Sequence, residues 1–160
     1  MMGKTLISLL LFLCGCVTDS PWKLDGILAG DAVFDSTRLR CLDQSPLTFE
    51  MVRIGDEIHS FLYLKQFRFI SSSPDSIEAT FTIGDQIFHE NLPLHEGKMR
   101  VQIPQGTIEE IILALHRGEK VSILIDDFEK KLDPDQFPKF YSRFTGNSAL
   151  FSNLFKGPVE

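Results

Sequence analysis

Between residues 37 and 104 apolar and polar residues alternate with a period of two. That is the signature of strands with one face buried. Leu47-Thr48-Phe49-Glu50-Met51-Val52-Arg53-Ile54 is such a run, Gly55-Asp56 marks a tight turn, and Ile58 to Phe69 resumes the pattern. The pair predicts a hairpin, with Phe61, Tyr63, Phe67 and Phe69 sharing one face of its second strand. Ser71-Ser72-Ser73-Pro74-Asp75 reads as a loop. Ile77, Ala79, Phe81 and Ile83 then alternate with polar residues, Gly84-Asp85 turns the chain, and Ile87-Phe88 begins a return strand. Glu96-Gly97 makes a further turn, Met99, Val101 and Ile103 form a last alternating run, and Pro104 ends it.

After Pro104 the period changes. Ile108, Ile111, Ile112 and Leu115 recur at helical spacing. Thr107 with Glu110 predicts a capping box at the start, and Gly118 predicts the stop. Val121 to Ile125 reads as a buried strand. Asp133-Pro134 predicts an N-cap and a first-turn proline for a second helix over 134–145, its apolar face carrying Phe137, Phe140, Tyr141 and Phe144. The tail, 146–160, has Leu150, Phe151, Leu154 and Phe155 at helical spacing before Gly157-Pro158, and reads as a loose helical turn. The whole predicts an α+β, mainly β fold: an antiparallel β-sandwich or partial barrel with two helices toward the C-terminus. No internal repeat or low-complexity stretch is visible.

The N-terminus follows different rules. Lys4 gives a short positive flank, and Leu6 to Leu13 is apolar apart from Ser8. Even counted generously as about ten helical residues, such a run is about 15 Å long, half the roughly 30 Å of a bilayer core. It suits an export signal better than a permanent span. Leu13-Cys14-Gly15-Cys16 resembles the lipobox of bacterial lipoproteins, with an apolar residue, a small residue and a closing cysteine. Cys14 departs from the commoner Ala or Ser. The resemblance implies a diacylglycerol on the Cys16 sulfur, cleavage before Cys16 and acylation of the new amino terminus, with palmitate among the usual chains. Only a thiol there can be alkylated to a stable thioether. Two or three acyl chains, at about 0.8 kcal/mol per buried methylene, hold a protein on a membrane. Val17 stands where an Asp would imply inner-membrane retention, which favours an outer-membrane destination.

These readings divide the chain into a cleaved signal peptide, 1–15, a lipidated tether and irregular lead-in, 16–35, and a single globular β-rich domain, 36–160. A domain of this size supports a real hydrophobic core. The chain carries a net charge of −6, and loss of Lys4 with the signal makes the remainder one unit more acidic. Nucleic acid and anionic lipid surfaces are therefore excluded as general partners. With Cys16 lipidated, Cys41 is the remaining thiol and is expected to be a half-buried apolar residue. Fourteen Phe against two Tyr and one Trp point to aromatic packing inside.

Candidate chemistry is sparse. Phosphate-cradling, dinucleotide-binding, zinc-protease and nucleophile-elbow motifs are all missing from the sequence. Ser20-Pro-Trp-Lys23 fits a Ser-x-x-Lys pattern but lies in the expected tether. His89 and His95, flanked by Glu90 and Glu96, fall short of the roughly three converging ligands a metal needs; His59 and His116 sit apart. Asp126, Asp127 and Glu129 follow a strand, with Asp133 and Asp135 beyond, but Lys130 and Lys131 lie among them. They read as a solvated turn and helix cap rather than an acid–base pair. The Phe61, Tyr63, Phe67 and Phe69 stripe reads as core, with a ligand cavity as the alternative. No catalytic, cofactor or metal site is assigned. The expectation is a lipid-anchored cell-envelope protein, in the cell membrane or outer membrane and facing the periplasm or the cell surface. It would bind a protein partner without catalysis. A carrier or sensor of a small apolar ligand, or an envelope hydrolase, are the alternatives.

Overall fold

The computed structural model describes residues 20–28 and 35–146. Cys16 and the tail beyond Gly146 lie outside the described residues, as does the segment between the first two strands. Nine strands and two helices are present among the described residues. β1 (Trp22–Leu28), β2 (Asp35–Cys41), β3 (Leu47–Ile54) and β4 (Glu57–Leu64) form an antiparallel meander. β5 (Ser76–Ile83) and β6 (Gln86–Pro93) form a hairpin, and β7 (Arg100–Ile103) returns to pair with β4. Helix α1 (Gln105–His116) follows, then the hairpin of β8 (Val121–Ile125) and β9 (Phe128–Leu132), then α2 (Phe137–Phe144). The first sheet has the order β1-β2-β3-β4-β7 and the second β6-β5-β8-β9. The fold is mainly β, two antiparallel sheets with two helices, as the alternation predicts.

The strands follow from period two. Leu47, Phe49 and Met51 of β3 face Leu64, Leu62 and Ser60 of β4 across the ladder, and all are buried. Ile77, Ala79, Phe81 and Ile83 of β5 point inward, opposite Val121, Ile123 and Ile125 of β8. Phe49, Phe81, Phe137 and Phe144 fill the space between. Gly55 and Gly84 sit at positive φ in two-residue turns, where the first central residue must be left-handed. α1 ends in a Schellman motif: Gly118 at φ 80° donates to the Leu115 carbonyl at 3.2 Å, and Glu119 donates to Ala114 at 2.9 Å.

Several local expectations are corrected. The lead-in expected to be irregular contains β1, an edge strand, and Trp22 is 2% exposed against Phe49 and Phe137. The capping box at Thr107 does not form: α1 starts at Gln105, with Pro104 in the N-cap position, and the Thr107 hydroxyl donates to Glu90. Asp133 does not cap α2 either. Its carboxylate accepts from the Asp135 amide at 2.9 Å, and the helix begins at Phe137 with a proline in its first turn. The 126–135 segment is not a solvated loop throughout, because Phe128–Leu132 is β9.

The sheets meet along two lines. At one, Leu94 bridges to Val101, so the β6 strand runs on into the first sheet. At the other, three side chains of the first sheet's side of the molecule meet successive outward carbonyls of β9 and its continuation. The Ser45 hydroxyl donates to Glu129 at 2.8 Å, the Cys41 thiol faces Lys131 at 4.0 Å, and the Trp22 indole N–H donates to Asp133 at 2.9 Å. Beside this line the fully buried Lys130 places Nζ 2.7 Å from an Asp43 carboxylate oxygen.

Candidate functional site

Alternation that buries one face of the first sheet sends the other residues outward. Here the outward face is unusual, because it too is partly closed. Lys23, Arg40, Glu50, Phe61 and Gln102 form one row across β1, β2, β3, β4 and β7. Arg38 lies one step along β2 opposite Asp25, and Arg100 of β7 stands opposite Tyr63.

Glu50 is the centre of this face. Its side chain is 5% exposed, with Arg38 Nε 3.1 Å from one oxygen and Arg100 Nη2 3.2 Å from the other. Arg100 in turn lies over the Phe61 ring, its guanidinium carbon 3.5 Å from the centroid, a cation–π arrangement. The His95 ring meets the same Phe61 edge-on. Arg40 donates to Asp25 through Nε at 3.1 Å and through Nη2, and that carboxylate raises the arginine's pKa further. A groove of about 480 Å³, open to solvent, runs over the face. Arg38, Glu50, Tyr63, Leu64, Lys65, Met99 and Arg100 line it, so three cations face one carboxylate in a chain whose net charge is −6.

The residues singled out from sequence are scattered. Phe61 and Tyr63 face outward, Phe67 is 51% exposed against Phe128, and Phe69 is buried in the core. The expected common face does not exist, because β4 ends at Leu64 and the chain changes course before Phe67. Asp126 accepts from the Ile70 amide at 3.0 Å. Glu129 accepts from the Ser122 hydroxyl at 2.8 Å, which holds its carboxyl below the usual range. His89, on β6, lies 3.1 Å from the Thr80 hydroxyl of β5, whereas the His95 ring packs on Phe61. His59 stands 3.3 Å from Glu57. His116 packs between Phe137 and Tyr141, and burial lowers its pKa. The Ser20 hydroxyl accepts from the Trp22 amide, while Lys23 is exposed on β1. Cys41 is buried, and desolvation pushes its thiol up to about 11. Among the described residues no group of three or more His, Cys, Asp or Glu converges to hold a metal, and no helix is long and apolar enough to cross a membrane.

Three further depressions, of about 410, 550 and 330 Å³, open to solvent beside His59, Glu90 and Leu124 respectively. Of the aromatic stripe expected to be core, Phe69 alone is in the core; Phe61 and Tyr63 lie on the outer sheet face, where Tyr63 lines the open groove, and Phe67 is exposed. The arginine–glutamate face was missed from sequence. Arg38-Leu39-Arg40-Cys41 alternates charged with apolar, and that signal alone marks an outward basic pair on a strand. No family model matches this chain, and comparison with curated proteins and with solved structures gives no match.

Proposed function

We propose that this protein is a lipid-anchored envelope component that holds a protein partner against the outer face of its five-stranded sheet. Anchoring rests on the signal-like N-terminus and Cys16. Docking rests on one observation: Glu50, nearly buried on an outward face, is clamped between Arg38 and Arg100. Taking charges out of water is unfavourable, and the inner face of the same sheet already packs the core. A fold that needed only stability is served as well by short polar residues there. Arginine and aromatic side chains held rigid at a groove are the residues that dominate binding at protein interfaces.

The test is a photo-crosslinking residue at Met99, on the groove rim, in the full chain within its native envelope. A reproducible protein adduct is expected, lost in the Arg38→Glu and Arg100→Glu variants. The same adduct from a probe at Ile87, exposed on the other sheet, would place docking elsewhere and overturn the assignment. Cys16→Ser is expected to release the chain from the membrane fraction, and retention there would remove the anchoring claim.

A further inference from the structure

We infer that the groove's occupant is an acidic segment of the partner, whose carboxylates bridge Arg38 and Arg100. The inference rests on the docking reading above and adds the partner's chemistry. Each guanidinium has five N–H donors, and a carboxylate is acceptor-only. One Glu50 cannot satisfy both arginines. Arg38 Nε and Arg100 Nε are buried without an aligned hydrogen-bond acceptor, although Arg38 Nε lies within ion-pair distance of Glu50. Each guanidinium meets a different oxygen of Glu50, and both side chains stay about a third exposed, 34% and 38%, which leaves N–H groups open to an occupant of the groove. Such charge-assisted, forked contacts are the strong class of hydrogen bond.

Charge complementarity selects an acidic occupant: Arg38, Lys65 and Arg100 against Glu50 make this a basic island on an acidic protein. Size and lining select a peptide over a lone anion. The groove holds about 480 Å³, and Met99 and Tyr63 give it an apolar flank beside the arginines. An inorganic anion leaves that flank unused, whereas a peptide pairs its carboxylates with the guanidiniums and lays an adjacent side chain on Met99.

The probe is a fluorescein-labelled peptide, Glu-Leu-Glu-Gly-Glu-Leu, with its Gln-for-Glu counterpart. Binding to the lipidated chain in neutral detergent micelles is followed by anisotropy. The Glu peptide is expected to bind at least tenfold more tightly than the Gln peptide. Arg38→Gln and Arg100→Gln should each remove that preference, and Lys131→Gln on the other sheet should leave it intact. Should an arginine variant fail to melt cooperatively, Met99→Glu against Met99→Gln supplies the same contrast without touching the clamp, the acidic variant losing at least tenfold. Equal binding of the two peptides overturns the inference. So does displacement of the Glu peptide by micelles doped with phosphatidylglycerol at matched charge, which assigns the arginines to lipid headgroups. Capture from position 99 that persists without peptide preference removes the acidic segment and leaves docking standing; absence of any capture removes docking itself.

Discussion

Trp22→Ala is the sharpest test of where the folded body begins. The indole is 2% exposed and sits against Phe49, with ring centroids 6.1 Å apart, and Phe137, at 4.8 Å. Its N–H donates to the Asp133 carbonyl at 2.9 Å. Removing a large buried aromatic from a core destabilises by about 3–5 kcal/mol, and the orphaned carbonyl contributes about 1 kcal/mol of that loss. The site lies on an edge strand where the chain can partly relax, which places the expected effect near 4 kcal/mol. For a domain of this size each kcal/mol lowers the midpoint by about 3 °C, so Tm should fall by roughly 12 °C. Trp22→Phe keeps the ring contacts and loses the N–H, and should fall by about a third as much. Circular dichroism melts of the full chains measure both. Trp22 is the only tryptophan, so its blue-shifted native emission follows unfolding in the parent protein. A loss below about 1 kcal/mol for Trp22→Ala would refute the reasoning and return residues 22–28 to the status of a tether.

The remaining predictions concern buried ionisable groups. Asp43→Ala leaves the fully buried Lys130 ammonium without its 2.7 Å partner and should destabilise by about 3 kcal/mol, whereas Lys130→Met, which removes the buried charge itself, should be neutral or stabilising; urea midpoints of the two variants compare them. Cys41 is raised from 9.0 to about 11 by burial, so the folded state holds its proton longer than the unfolded chain. The stabilising contribution is complete below pH 9 and is lost as pH rises toward 11, a loss of about 2–3 kcal/mol. Tyr141, raised from 10.0 to about 12 by burial, adds a second loss in the same direction between pH 10 and 12. Urea midpoints across this range should show Cys41→Ala abolishing the lower step alone.

Much of the fold was legible because period two survives wherever a strand has one wet face. The β3–β4 and β5–β6 hairpins announced themselves through Gly55 and Gly84, and α1 through its isoleucine stripe. β9 was not legible for a stated reason: its central inward residue is Lys130, so Phe-Glu-Lys-Lys-Leu shows an apolar residue only at its ends. β1 was hidden by Asp25 and Gly26, which interrupt the apolar pattern of a strand held mainly by its neighbour and by Trp22. The helix starts moved because capping residues were read from local spacing, while Thr107 and Asp133 spend their oxygen atoms on Glu90 and on the Asp135 amide. The candidate site was the least legible part. Arg38, Glu50, Phe61 and Arg100 come from four strands, and only the pairing register brings them to one patch.

The contact of Ser45, Cys41 and Trp22 with the carbonyls of Glu129, Lys131 and Asp133 has a consequence for assembly of the two layers. A backbone ladder repeats every two residues, so strands joined that way can slide by one repeat and pair again. Three unlike donors set against three carbonyls have no such translational symmetry. A slip of one repeat would face the hydroxyl with the thiol's acceptor, strand the indole past its own, and draw the lysine ammonium away from Asp43. The junction therefore works as an index mark, fixing how one layer is seated on the other without requiring a tenth strand.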